Sequence, residues 1–425
     1  MKILFIVPGS GDAFYCGNCF RDSLYAGALR KAGHDVLVMP LYLPLTDESL
    51  KADTQLFFPA VSFYVARKFF TEKPMPSWIE RILNSKTMLK LASSMSGATS
   101  AAGMEDLTLS MIYGDDAAFS EQANRLTNRF AEHDKPDIIH LSSTLLVGIA
   151  KAIKQRFDIP VVCTMQDEEV WIDSLDKKYA SMAWRGIAEN IMYIDKFITS
   201  SNYYRNFIAQ KLPQIKNIEV VYPGIDLNKY AAESFPQNPT IGFFYRMNHL
   251  NGLDILAEAF VKLKRKNSIR NLKLKIGGGY TGKDRKFIKH VRKILSPYMS
   301  DVEIFERYSP GSHAKFYSEI TIISVPLTFS EGAGLYLCEA FAAGRPAVEP
   351  ATGSFGEIMG DAGIIYAENS SDLLADSIEK LLTDSELFSM SCKNAKRLSE
   401  TRYNAIISSE QLIKIYSNLQ PDKID

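Results

Sequence analysis

The sequence predicts a doubly wound α/β protein of two similar-sized domains, and three observations carry that expectation. Short, almost wholly apolar runs alternate with amphipathic stretches of helical length from the start of the chain. The same alternation begins again after the polar, proline-containing segment ESFPQNPT (233–240). At 425 residues, 46% apolar and 23% charged, the chain is ordinary globular material and too long for one domain at about 150 residues each.

In the first half, the strand candidates are KILFIVPG (2–9), HDVLVMPLY (34–42), DIIHLSS (137–143), PVVCTMQ (160–166), KFITSS (196–201) and IEVVYPG (218–224). Continuous apolar runs suit strands covered on both faces, as in a parallel sheet. Helices fit at 18–33, where Gly33 follows a basic last turn, and at 145–157. The second round has strands TIGFFYR (240–246), LKLKIGGG (272–279), VEIFERY (302–308), ITIISVP (320–326), RPAVEPA (345–351) and AGIIYA (362–367). Its helices fit at 252–266, 284–296, 334–343 and 370–383, and 403–419 reads as a closing amphipathic helix. The boundary falls near 225–239, giving domains over 1–225 and 238–400. Such sheets bind ligands beyond the carboxyl ends of their strands, in a cleft between the domains.

Residues 43–130 fit worst and read as a mostly helical insertion. Within them, basic residues lie beside Phe and Trp over 63–95, which suits a membrane surface or a lipid-linked acceptor. An ordinary helical cap over the cleft is the plainer reading. Lys+Arg and Asp+Glu both number 49, which argues against a dedicated nucleic-acid binder. The basic run KLKRKNSIRNLKLK (262–275) with KDRKFIKHVRK (283–293) has Asp284 as its one acid. It reads as a solvated helical face, or as contact with anionic lipid. The opening apolar run lacks the shape of a signal peptide, and no later stretch reaches about 18 uncharged apolar residues. A cytoplasmic location is expected, with the inner membrane face as a peripheral site.

The segment FSEGAGLYLCEAFAAGRPAVEP (329–350) carries the strongest chemical signal. Glu331 and Glu339 are eight positions apart, with Gly332 and Gly334 beside the first and a helix-favouring run behind them. A helix N-terminus offers free N–H groups and a positive dipole end to a diphosphate, and carboxylates beside it accept from sugar hydroxyls. A solvated Glu with a structural salt bridge is the bland alternative. The glycine loop PGSGDAFYCGNC (8–19) makes Gly9, Gly11, Gly17 and Asp12 candidates for an acceptor or sugar-phosphate. Cys16 and Cys19 form a C-x-x-C at a strand-to-helix turn, where a thiol is activated, but two ligands are half of a structural zinc site. His140 ends a strand and is either cleft-lining or a satisfied core imidazole.

The E-x7-E segment with EAFAAGRPAV (339–348) resembles the motif of the retaining family 4 glycosyltransferases, which have the GT-B fold of two facing Rossmann-like domains. YPGIDLNKY (222–230), KFITSSNYYRNFI (196–208), GFFYRMNHLNGLDILAEAFVKL (242–263), GSFGEIMGDAGIIY (353–366) and the opening 1–42 resemble other segments of that family in register. The resemblance implies transfer of a sugar from a nucleotide-diphosphate donor, UDP- or GDP-linked, to a glycan or lipid-linked hydroxyl, with retention of configuration and no metal or other cofactor. No D-x-D occurs. By position it makes Glu331 and Arg246 catalytic, Glu331 holding sugar hydroxyls and Arg246 neutralising the leaving diphosphate. Glu339 would bind the ribose, with Gly332, Gly334, Leu335, Asn251 and Gly252 also on the donor side. Gln166 and Asp167 join the glycine loop on the acceptor or sugar side. Two positions depart from the pattern: Asn251 stands where the family has Lys, and Gln166 where it often has His. His249 is a candidate substitute cation, while Lys262 and Lys264 fall on a solvated helix face. The alternatives are a catalytically silent nucleotide-sugar binder of the same fold and, more remotely, a thiol oxidoreductase through Cys16 and Cys19.

Overall fold

The computed structural model describes residues 1–9, 14–41, 76–83, 85, 104–132, 135–231 and 234–420. Two parallel sheets organise it. The first contains β1 (Lys2–Val7), β2 (Asp35–Pro40), β3 (Ile138–Leu141), β4 (Val161–Met165), β5 (Lys196–Thr199) and β6 (Ile218–Val220), in the order β2-β1-β3-β4-β5-β6. The second contains β7 (Thr240–Phe244), β8 (Lys273–Gly277), β9 (Val302–Ile304), β10 (Ile322–Ile323), β11 (Ala347–Pro350) and β12 (Gly363–Tyr366), in the order β12-β11-β10-β7-β8-β9. Strands β3, β4 and β7 are buried along their whole length, which is why their sequences do not alternate. The strand order reverses between β1 and β3, and between β7 and β10, so each sheet opens a crevice at its carboxyl edge.

The helices of the first half are α1 (Gly17–Lys31), α2 (Ser77–Leu83), α3 (Glu105–Tyr113), α4 (Ala117–Glu132), α5 (Val147–Lys154), α6 (Glu168–Ile172), α7 (Lys177–Asn190), α8 (Asn202–Lys211) and α9 (Leu227–Tyr230). Those of the second are α10 (Leu253–Lys266), α11 (Arg285–Leu295), α12 (His313–Ser318), α13 (Leu335–Ala342), α14 (Phe355–Met359), α15 (Ser371–Thr383), α16 (Ser385–Thr401) and α17 (Ala405–Asn418). Helix α16 is not expected from the sequence, because its buried face is Ser391, Ala395, Leu398 and Ser399, with one large apolar side chain. Of the insertion expected over 43–130, α2, α3 and most of α4 are described, and α3 buries Leu107, Leu109, Met111 and Ile112. The rest of that insertion, including most of 63–95, lies outside the described residues, as do Gly11 and Asp12.

Helix α17 packs on the first sheet's side. Leu412, Ile415 and Tyr416 share a core with Ile3, Phe5, Tyr25 and Ile198. The two chain crossings between the sheets run side by side, with Ile225 N–H donating to Tyr403 O (2.8 Å) and Ala405 N–H to Ile225 O (3.1 Å). A second tie joins the halves at the N-terminus of α8. Glu357, from α14, accepts the backbone N–H groups of Asn202 and Tyr203, each at 2.8 Å, and the Tyr222 hydroxyl. Burial raises the Glu357 carboxyl, but these hydrogen bonds outweigh it and hold the group below its usual value. Among the described residues, no helix is long and apolar enough to cross a membrane.

Candidate functional site

Helix α13 starts from Gly334 in the left-handed region (φ 59°), which frees the N–H groups of its first turn. Glu331 reaches back to that turn. One of its oxygens accepts from Gly334 N–H (3.2 Å) and Ala333 N–H (3.4 Å), the other from the Tyr245 hydroxyl (3.1 Å). Glu331 is 2% exposed, and burial pushes its carboxyl up while these donors pull it back. The opposite wall comes from the loop after β4. Asp167, itself left-handed at φ 58°, accepts Gly332 N–H at 2.8 Å, and Ser201 donates to Gly332 O at 2.5 Å. Burial, then the nearby Glu331 charge, place the Asp167 carboxyl well above the ordinary range. Gln166 accepts from Arg21 (3.1 Å) and Ser200 (3.0 Å). A Cβ on Gly17 would lie 3.7 Å from Leu335 and 3.8 Å from both Gln166 Nε2 and the Tyr245 hydroxyl. Glu331, Gly332, Gly334, Leu335, Gln166, Asp167 and Gly17 therefore converge where the two carboxyl edges face each other.

Glu339, one helix length further on, points elsewhere. It is fully buried, with Tyr230 hydroxyl (2.6 Å) and His313 Nδ1 (2.5 Å) on one oxygen. The hydroxyls of Tyr317 (3.2 Å) and Tyr15 (3.3 Å) meet the other. A cavity of about 610 Å³ adjoins this cage, between β8, β9 and α12, and is lined in part by Lys275, Gly278, Phe305, Tyr308, Ser312 and Phe316.

Arg246 follows β7 and pairs with Asp284 at 3.1 Å, its guanidinium 4.6 Å from the centre of the Phe14 ring. The Asn251 side chain is 4% exposed and donates to Arg246 O at 2.7 Å, which closes the loop behind Arg246. His249 is exposed and bonded to Asp254 at 2.7 Å. Gly252 has φ 69°, and a Cβ there would lie 1.9 Å from Pro326 O. Its role is close backbone approach.

With the geometry in place, comparison with known proteins identifies the family. Residues 238–384 match the family model described as Glycosyl transferases group 1, and residues 111–229 that of Glycosyltransferase Family 4. The chain belongs to the family 4 glycosyltransferases. It is 25% identical over 285 residues to an uncharacterized glycosyltransferase of Methanocaldococcus jannaschii, covering 65% of this chain and 74% of that one. It is 23% identical over 281 residues to the D-inositol 3-phosphate glycosyltransferase of Corynebacterium aurimucosum, covering 58% and 64% respectively. The structure of Anabaena HepE in complex with UDP superposes with a TM-score of 0.70 at 16% identity, over 98% of this chain and 100% of that one. The glycosyltransferase thus has the GT-B architecture expected from its sequence.

Other sequence candidates have structural partners. His140 is a core imidazole, bonded to Tyr416 and Thr164 at 2.6 Å each and pushed down to about 3 by burial. In the basic run, Lys262, Lys264 and Lys266 pair with Asp372, Asp301 and Glu379, and Lys275 with Glu303 and Glu319, the pattern of an acid-balanced face. The Cys16 and Cys19 sulfurs lie 2.9 Å apart, and their mutual hydrogen bond lowers Cys16. Family membership gives an oxidoreductase reading no support. Among the described residues no three His, Cys, Asp or Glu side chains are grouped to hold a metal. Three residues at the site, Tyr245, Arg21 and Tyr15, are not among the sequence candidates. Tyr245 adjoins Arg246 and Arg21 lies one helical turn after Gly17, but nothing local marks Tyr15.

Proposed function

We propose that this glycosyltransferase moves a sugar from a nucleoside diphosphate donor, UDP- or GDP-linked, to a hydroxyl of a glycan or glycolipid, with retention of configuration. One observation carries the reading: Glu331 is held buried at the N-terminus of α13, facing the Asp167 loop of the other domain. A sugar between them offers hydroxyl donors to Glu331 while its diphosphate lies toward the helix N-terminus and Arg246. The sugar C1–phosphate oxygen bond breaks, the acceptor oxygen bonds C1 on the same face, and the acceptor proton passes to the departing phosphate. Negative charge grows on that phosphate, and Arg246 stabilises it after exchanging Asp284 for the ligand. The scheme requires no metal and no side-chain base. The cavity beside Tyr308 gives the nucleobase its room. A neighbour solved with UDP supports a nucleoside diphosphate donor, and relatives named D-inositol 3-phosphate glycosyltransferase support transfer of a glycosyl group. The setting is cytoplasmic, at or near the inner face of the membrane.

The test is calorimetric binding of UDP, GDP, ADP, CDP and dTDP, followed by donor turnover and the anomeric configuration of the product by NMR. Glu331→Gln should lower kcat by about 10–100-fold, the loss of a charged hydrogen bond of roughly 1.5–3 kcal/mol, with nucleotide affinity little changed. Tight binding without turnover would favour a silent binder, which the closed Asn251 loop supports. An inverted product would overturn the retaining mechanism.

A further inference from the structure

Phe14 and Tyr15 belong to the first domain, yet, apart from the Tyr15–Phe20 ring contact, the contacts that hold them lie in the second. Tyr15 N–H donates to Gly278 O at 2.8 Å, and Phe14 forms an antiparallel bridge with Gly279. The Tyr15 ring is 1% exposed, with ring centres of Phe244, Tyr245, Tyr308 and His313 between 5.4 and 6.2 Å away. Its hydroxyl ends on Glu339 and the neighbouring Phe14 ring lies on Arg246. These are the groups that the reading above gives to the ribose and the diphosphate.

A carboxylate has about four lone-pair sites, and four donors fill those of Glu339. A ribose hydroxyl can bond there only by displacing one of them. His313 and Tyr317 sit on α12 of the same domain, and Tyr230 on the connecting helix α9. Tyr15 makes the longest of the four bonds and comes from the opposite domain, so domain opening can withdraw it.

We propose that the Phe14–Tyr15 segment occupies the donor's place in the unliganded enzyme, with the Tyr15 hydroxyl bonding Glu339 where a ribose hydroxyl would. Donor binding and occupancy of the site by the segment are then mutually exclusive, and apparent donor affinity scales with the fraction of enzyme that is unplugged. The inference rests on the donor-site reading above.

UDP and GDP binding to wild type, Tyr15→Phe, Glu339→Gln and the double variant tests it. Tyr15→Phe keeps the ring packing and removes one bond, so affinity should rise about 3–10-fold, and Glu339→Gln should weaken binding in both backgrounds. Unchanged or weaker binding by Tyr15→Phe, with Glu339→Gln still damaging, overturns the plug and leaves the donor site intact. Binding indifferent to Glu339→Gln, or no nucleotide binding by any folded variant, overturns the donor-site reading and the plug together. Hydrogen exchange on the wild type is independent of any substitution. Nucleotide should speed exchange of the Tyr15 amide by releasing it from Gly278, whereas slower exchange on binding refutes the exclusion.

Discussion

Replacing Glu357 by Gln probes the tie between the two halves. In the wild type, one carboxylate accepts two backbone N–H groups at the start of α8, the Asn202 side chain at 2.9 Å and the Tyr222 hydroxyl. A Gln offers one oxygen and turns an NH2 group on the remaining donors. A hydrogen bond to a charged acceptor is worth roughly 1.5–3 kcal/mol, and the helix-end charge interaction adds about 0.3–1 kcal/mol. The site is half-buried, so water can replace part of this. We expect a net loss of about 2 kcal/mol, or a fall of about 30-fold in the closed-to-open ratio of the domains. Fluorescence transfer between dyes on the two domains, or the radius of gyration from small-angle scattering, reads that ratio directly. Because the folded carboxyl lies below its usual value of 4.5, its contribution is present above that value and lost as pH falls through the lower folded one. Acidification should therefore open the wild type but not further open the variant. If Glu357→Gln matches wild type in domain separation at pH 7, the tie contributes nothing to closure and the reasoning is wrong.

Two further substitutions test the backbone and the core. Gly252→Ala should destabilise the second domain by more than about 2 kcal/mol, since it combines a left-handed φ with a Cβ 1.9 Å from Pro326 O; an unchanged melting temperature would count against that geometry. Glu349 is fully buried on β11, with one oxygen bonded to Val325 N–H and the Tyr336 hydroxyl also interacting with the carboxylate, and burial raises its carboxyl well above the ordinary range. A raised acid destabilises the fold as pH rises above its unfolded value, because the unfolded chain ionises first. Glu349→Gln should accordingly match or exceed wild-type stability, with the advantage growing as pH rises above 4.5 toward the raised folded value. A variant that melts lower across that range would show that the charged form is accommodated.

What could be read in the sequence follows from which interactions are local. Each of the twelve strands falls on an expected run: burial on both faces keeps β3, β4 and β7 nearly free of polar side chains, while the edge strands β6 and β9 carry an exposed Glu between apolar residues. Helix α16 gave no such signal, since serine and alanine make most of its buried face. At the site, the E-x7-E spacing and its glycines are local and legible, but the partners are not. Asp167 meets Gly332 across 165 positions, and Tyr15 meets Glu339 across 324. Nothing within either segment says that they touch. Asn251 shows the opposite limit, because its departure from the family pattern is visible in the chain while the loop-closing bond it makes is not.

The return of α17 to the first domain has a consequence for how the protein is made. Strands β1 and β3 leave the ribosome early, yet the surface around Ile3, Phe5, Tyr25 and His140 is completed by Leu412, Ile415 and Tyr416. The second domain's strands, β7 to β12, are all synthesised before those three residues. The domain that begins first is thus the one that finishes last, and its core waits, partly uncovered, while the other domain folds beside it.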